Sequence, residues 1–248
     1  MRKIIFELCA ESIQACLAAR EGGADRIELC TSLSEGGLTP SHSLIQAAVQ
    51  RSGLPVHVLL RPRSGDFLYT DDEFTLMRED LLHARTLGAS GFVLGILRAD
   101  NTVDTERTRE LVDLAAPHEV TFHRAFDYAR SLDQALEDII ATGCRRILTS
   151  GGERDVLAGA DRLAQLVKLA GGRIEIAAGG GLRIKDAATL ARTTLANHFH
   201  GSLRRSEAGE IRHEPHRALE DADQFLGASR FIVDANDVRT MIGNLRHA

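Results

Sequence analysis

Two short stretches, IFELC at residues 5–9 and RIELC at residues 26–30, each set a glutamate two residues before a cysteine on an apolar run. On a strand, residues two apart share a face, so Glu7 accompanies Cys9 and Glu28 accompanies Cys30. A carboxyl taken out of water has a raised pKa and can move protons. Neighbouring strands lie roughly 4.8 Å apart, so thiolates ending adjacent strands can hold a soft ion such as Cu(I). The plainer alternative is that both cysteines are small buried hydrophobes. There is no C-x-x-C, no methionine cluster and no ligand spacing of a closed zinc site to strengthen the metal reading.

Further polar residues collect at the ends of other apolar runs. Arg61 and Arg63 stand in RPRSGDF, and His123, Arg124 and Asp127 in FHRAFD. Arginine grips phosphate or carboxylate with two prongs, which makes Arg61, Arg63 and Arg124 candidates for an anion site. His123, with Asp127 beside it, is the candidate partner acid or base for Glu7 and Glu28. TSGG supplies Gly151 and Gly152, AAGGG supplies Gly179 and Gly180, and HGS supplies Ser202. Glycines let backbone N–H groups turn toward an anion. The competing account makes these glycines ordinary tight turns, and the Glu and Arg residues a structural ion-pair network. Cys16, on a helical repeat with Ile13 and Leu17, and Cys144, after a helix-stopping glycine, read as core.

These residues need a frame that brings strand ends together. Eight β-like runs, at 4–9, 26–30, 56–61, 91–94, 120–123, 146–150, 174–177 and 197–200, alternate with amphipathic segments near 12–21, 41–51, 71–87, 104–116, 133–141, 156–170, 183–193 and 236–246. Phe74, Met77, Leu81 and Leu82 recur at helical spacing, with Asp71 and Asp72 at the start and Gly88 at the stop. EGGADRIEL, TLGASGFVL and ATGCRRIL repeat one junction of helix, glycine, small residue and strand. Eight β-then-α units in 248 residues predict a TIM (β/α)8 barrel, one domain over 1–248, whose site lies at the carboxyl ends of its strands. A doubly wound sheet fits less well, because no glycine fingerprint follows the first strand. The stretch 203–230, with Arg204, Arg205 and His213, reads as a long insert before the last helix and a candidate lid over the mouth.

Composition narrows the function classes. A net charge of −5 without a basic stripe argues against nucleic acid as the partner. The N-terminal apolar run is too short for a signal peptide and is broken by Glu7, and no run reaches the length of a membrane span. A cytoplasmic protein with reduced thiols is expected.

The motifs FELC, GGADRIELC, EGGLTPS, RPRSGDFLYTDDE, VTFHRAFD, ILTSGG and AGGGL occur in this order. Together they closely resemble the copper homeostasis protein CutC family, strongly over about residues 4–202 and more weakly over FIVDANDVR. The resemblance implies a TIM barrel, a cytoplasmic location, homo-oligomers and a role in copper tolerance, with Cu(I) on the matching cysteines, Cys9 and Cys30. Two positions depart from the family pattern: Ser64 replaces a glycine in RPRSGDF, and Leu203 replaces an alanine after HGS. Three readings stand at this point: a Cu(I)-binding homeostasis protein, a barrel enzyme acting on a small anionic or phosphorylated metabolite, and a non-catalytic scaffold. Copper binding needs only the two thiols, and leaves Arg61, Arg63, His123, Asp127 and the glycine turns without a role.

Overall fold

The computed structural model describes residues 3–208 and 229–248. Eight parallel strands close into a barrel in sequence order: β1 (Ile5–Ala10), β2 (Arg26–Leu29), β3 (Val56–Leu59), β4 (Gly91–Leu94), β5 (Glu119–Phe122), β6 (Arg146–Thr149), β7 (Glu175–Gly179) and β8 (His198–Gly201), with β8 pairing back onto β1. The helices are α1 (Ile13–Gly22), α2 (His42–Ser52), α3 (Asp71–Thr86), α4 (Thr105–Ala115), α5 (Leu132–Thr142), α6 (Ala160–Ala170), α7 (Ala187–Thr194) and α8 (Ala235–Arg246). This is the single-domain TIM barrel expected from the pattern.

Local chemistry sets the helix ends. Ser12, Ser41, Asp104, Ser131 and Asp234 each accept a hydrogen bond from a first-turn N–H, and Thr70 with Glu73 forms a capping box on α3. At the repeated helix-to-strand junction, Gly23 and Gly143 take φ of 85° and 88°, the left-handed turn that a side chain would strain. Helix α6 starts four residues later than its periodicity suggests. Asp155 accepts from the N–H groups of Leu157 and Ala158, holding a turn there, and a Cβ on Gly159 would meet the Ser150 carbonyl oxygen at 1.8 Å.

The apolar core is a shell between barrel and helices. Phe6, Leu8, Ile27, Leu29, Val58, Phe92, Phe122, Ile147 and Phe199 belong to it and are fully buried. The alternate residues point into the barrel, where the usual filling is branched aliphatic. Here the amino-terminal half of the lumen holds Glu7, Arg26, His57, Arg146 and His198, all buried. Arg146 donates to Glu119, Glu175, Thr121 and His198, and Arg26 pairs with Glu7. A small apolar plug of Cys9, Cys30, Leu59 and Val93 sits above the charges.

Of the 203–230 insert, the described ends pair as an antiparallel ribbon, β9 (Arg205–Ala208) with β10 (Ser229–Ile232). The remainder, with His213 and the lid expected there, lies outside the described residues. Arg204 lies over the Phe231 ring at 4.1 Å and binds Glu11, which ties the ribbon's base to the loop after β1.

Candidate active site at the barrel mouth

A cavity of about 930 Å³ opens at the carboxyl ends of the strands, and Cys9, Glu28, Arg61, His123, Arg124 and His200 are among its walls. Such a volume suits a small organic ligand rather than an ion alone.

Strand register builds the floor. Glu7 sits level with Arg26 on one side and His200 on the other. Cys9 sits level with Glu28, not with Cys30. The two thiols therefore do not end their strands at matching heights, as the paired FELC and RIELC motifs suggested. The stagger of a closed barrel lifts Cys30 one step up β2, and Glu28 shares a layer with Cys9. The diagonal contact remains: Cys9 Sγ lies 3.6 Å from Cys30 Sγ and 3.6 Å from Glu28 Oε1. Cys16 and Cys144 are buried core thiols, each pushed up to about 12 by burial.

The two glutamates are not equivalent. Burial alone would raise both, and it does raise Glu28. In Glu7 burial is outweighed by Arg26 and His200, which hold its carboxyl well below the usual range. Glu7 is thus a fixed anion, and its Oε1 lies 2.9 Å from His200 Nδ1. Burial works against a charged His200, but Glu28 and Glu7 overcome it and raise its pKa. Glu28 Oε2 is buried without a hydrogen-bond partner among the described residues. His123 is pushed down to about 3 by burial and then by Arg61, so its ring is neutral at physiological pH. Its Nδ1 accepts from the Ala125 N–H at 3.1 Å, so the neutral ring carries its proton on Nε2, which is buried without a hydrogen-bond partner among the described residues.

Gly95 allows His123 to sit there, because a Cβ at that position would fall 2.4 Å from Nδ1 and 2.9 Å from the Ala125 Cβ. Gly95→Ala is expected to cost about 1–3 kcal/mol through overpacking. It should also displace the ring, and both effects are measurable as a lower Tm and a shifted His123 side-chain NMR signal.

The candidate anion groups divide. Arg124 Nε binds Asp127 at 2.7 Å and Nη2 binds Ser150 Oγ at 3.0 Å, while Nη1 has no acceptor among the described residues. Its guanidinium lies so close to Gly180 that a Cβ there would meet it at 3.0 Å. Gly180, Gly181 and Ser202 line the cavity, and no described acceptor takes the N–H groups of Gly181 and Ser202. Gly179 serves by smallness: a Cβ would strike Leu148 at 2.4 Å and His200 at 3.0 Å.

Gly151, Gly152 and Asp127 correct the expectation drawn from their motifs. The TSGG turn does face a carboxylate, but it is Asp127 itself. Asp127 accepts from Thr149 Oγ1, from Ser150 N and Oγ, and from Gly152 N at 3.0 Å, while the Gly151 N–H goes to Thr149 Oγ1. Asp127 is consumed in fixing this loop and Arg124, so neither a second anion nor a substrate proton has access to it. Arg63 also leaves the mouth: its guanidinium binds Glu73, Asp66 and the Ser64 and Leu68 carbonyls, closing the loop before α3. Arg61 stays but is occupied, donating to the carbonyls of Glu35, Gly37 and Gly65. It positions the loops around the cavity, and its Nε alone lacks a partner.

From sequence, His200 stood at the end of strand eight without an assigned role, and Arg26 was passed over. The H-F-H alternation of β8 placed His198 and His200 on one face, but only the β8–β1 closure shows that His200 meets Glu7.

Fold and site together define a (β/α)8-barrel protein with a ligand-sized, polar mouth and a charged lumen beneath it. The CutC family profile matches residues 4–205. The chain is 48% identical to a family protein CutC of Chromobacterium violaceum over 84% of this chain and 85% of that one. It is 45% identical to a family protein CutC of Vibrio cholerae over 90% of each. The crystal structure of CutC from Streptococcus agalactiae, provisionally described as a copper homeostasis protein, superposes with a TM-score of 0.76 at 33% identity, over 80% of this chain and 98% of that one. This chain belongs to the CutC family. No helix among the described residues is long and apolar enough to cross a membrane.

Proposed function

We propose that the chain takes a small anionic, phosphorylated metabolite into the barrel mouth and moves a proton on it. One observation carries this reading. Two buried polar atoms, Glu28 Oε2 and His123 Nε2, have no hydrogen-bond partner among the described residues, and both side chains wall the same cavity. Buried polar groups are nearly always satisfied, so such atoms await a ligand. The anion end is Arg124 Nη1 with the N–H groups of Gly181 and Ser202. Loops after strands seven and eight are a common place for phosphate in this fold. Glu28, its carboxyl raised by burial, is the group that takes or returns the proton, and His123, neutral with its proton on Nε2, donates a hydrogen bond to the ligand. Glu28 meets the ligand from β2, and Glu7 holds His200 in place without leaving its ion pair.

Thermal-shift measurements on the purified chain should show stabilisation by inorganic phosphate at millimolar concentration. Small phosphorylated metabolites should stabilise it more, with both effects lost in Arg124→Met. Equal melting temperatures with and without every such ligand would sink the proposal and favour a scaffold.

A second reading follows the family's association with copper, and the 3.6 Å separation of the Cys9 and Cys30 sulfurs favours it. Cu(I) would then be cargo held on two thiolates, soft donors that suit it. The donors fit in type, but Cys30 is fully buried and absent from the cavity wall. Gly37 and Leu59 cover it from the mouth side: a Cβ on Gly37 would meet both Leu59 and Cys30. Anaerobic Cu(I) titration of the Cys9→Ser/Cys30→Ser double variant tests this reading, and unchanged affinity removes it.

A further inference from the structure

The donors an entering ion would meet first are not the two thiols. Cys9, Glu28 and His200 each present one ligand atom, all three within 4.8 Å of one another, and all three line the cavity. We propose that this trio is a mononuclear site for a borderline divalent cation of the zinc type, held by one sulfur, one oxygen and one nitrogen, with its open position facing the ligand cavity.

Three features beyond the donor types support the assignment. Glu28 Oε2 is a buried carboxylate oxygen without a hydrogen-bond partner among the described residues, in a residue only 5% exposed, and an ion would supply the missing contact. His200 already has the outer support that metal-bound histidines usually have. Its Nδ1 is bonded to the Glu7 carboxylate at 2.9 Å and lies 3.9 Å from Glu28 Oε2, so Nε2 would be the nitrogen to bind the ion, and Arg26 fixes Glu7 in turn. Three protein ligands and one open position are the pattern of a catalytic rather than a structural zinc site. A mixed S, O, N set also discriminates against Cu(I), which prefers sulfur alone. Binding places the ion on the Cys9 thiolate and releases the thiol proton to solvent. With the ion in place Glu28 is a ligand, a water at the open position would take over its proton transfer, and His123 still presents its Nε2–H to the metabolite. The site deepens the small-molecule reading, but its test involves no metabolite, so either can fail alone.

The test is anaerobic titration of the reduced, metal-stripped full chain with Co(II), followed through thiolate-to-cobalt charge-transfer absorption, with Zn(II) competing. We expect saturation at one ion per chain. Cys9→Ser should abolish the band. His200→Gln and Glu28→Gln should each weaken binding by more than the roughly 10–100-fold that loss of an outer partner costs. Cys30→Ser should bind as the parent does. Circular dichroism melting establishes that each variant is folded. Should Cys9→Ser fail to fold, the contrast between Glu28→Gln and Cys30→Ser still decides. Absence of the band in the parent overturns the proposal. So does a band lost in Cys30→Ser but kept in Glu28→Gln, which is the signature of the two-thiol site.

Discussion

Arg26→Met is expected to cost about 3–5 kcal/mol, because it leaves the Glu7 carboxylate buried without its cation. Arg26 and Glu7 face each other inside the lumen, and Glu7 is 2% exposed. For a chain of this size the loss lowers Tm by about 6–20 °C. Methionine retains much of the buried arginine stem, so the missing quantity is chiefly charge. The pH dependence follows from the direction of the Glu7 shift. In the parent, the folded carboxyl sits below its ordinary value of 4.5. Its contribution is therefore present above that value and is lost as pH falls through the folded one. In Arg26→Met only the histidines, chiefly His200, still oppose burial, so the carboxyl sits higher than in the parent, and the penalty is present at neutral pH and relaxes in acid. Urea unfolding at several pH values should show the two proteins converging below about pH 4.5. Adding Glu7→Gln to Arg26→Met should recover at least half of the loss at neutral pH. A double variant no more stable than the single one would place the cost in packing instead.

Asp127→Ala is the second large effect. Its carboxylate is 4% exposed and takes hydrogen bonds from Thr149, Ser150, Gly152 and Arg124. Deleting the acceptor strands several part-buried donors at once and should cost about 2–4 kcal/mol. That corresponds to a fall in Tm of about 4–16 °C. Asp127→Asn keeps one acceptor oxygen but sets an NH2 group against donors, so it should fall between the parent and Asp127→Ala. Because Arg124 loses its anchor, Asp127→Ala should also weaken phosphate-dependent stabilisation, although no residue of the cavity wall is itself substituted. An Asp127→Ala protein that melts with the parent would show that the TSGG turn holds itself without a carboxylate.

These two residues show what was legible in the chain and what was not. The period of the apolar runs, the repeated glycine junction and the acidic starts of helices are local signals. They were enough for eight β/α units and hence for a site at the strand ends. The cluster of polar residues at those ends was equally visible, since strand alternation assigns Glu7 with Cys9 and His198 with His200 to shared faces. The resemblance carried by FELC, RPRSGDF and VTFHRAFD pointed to the family that the relatives establish.

Partner choice was not legible, because it depends on closure and stagger. TSGG reads as an anion cradle from sequence, and so it is, but the anion comes from FHRAFD on the neighbouring strand. Arg63 and Arg61 share a face on paper, yet the loop that follows takes one outward and uses the other as a brace. Arg26 looks like the solvated start of a strand until the barrel turns it onto Glu7.

The sequence by itself determined the barrel, the family and which end of the strands gathers the polar residues around a cavity, because periodicity and short motifs are encoded over a few residues. Only the tertiary structure decided that Cys9 lies level with Glu28 instead of Cys30, that Glu7 is a locked anion while Glu28 Oε2 lacks a hydrogen-bond partner among the described residues, and that His200 comes together with Cys9 and Glu28. The physical reason is the stagger of a closed parallel barrel. It shifts each strand against the next and joins the last strand to the first, so side chains 193 residues apart become neighbours at 2.9 Å.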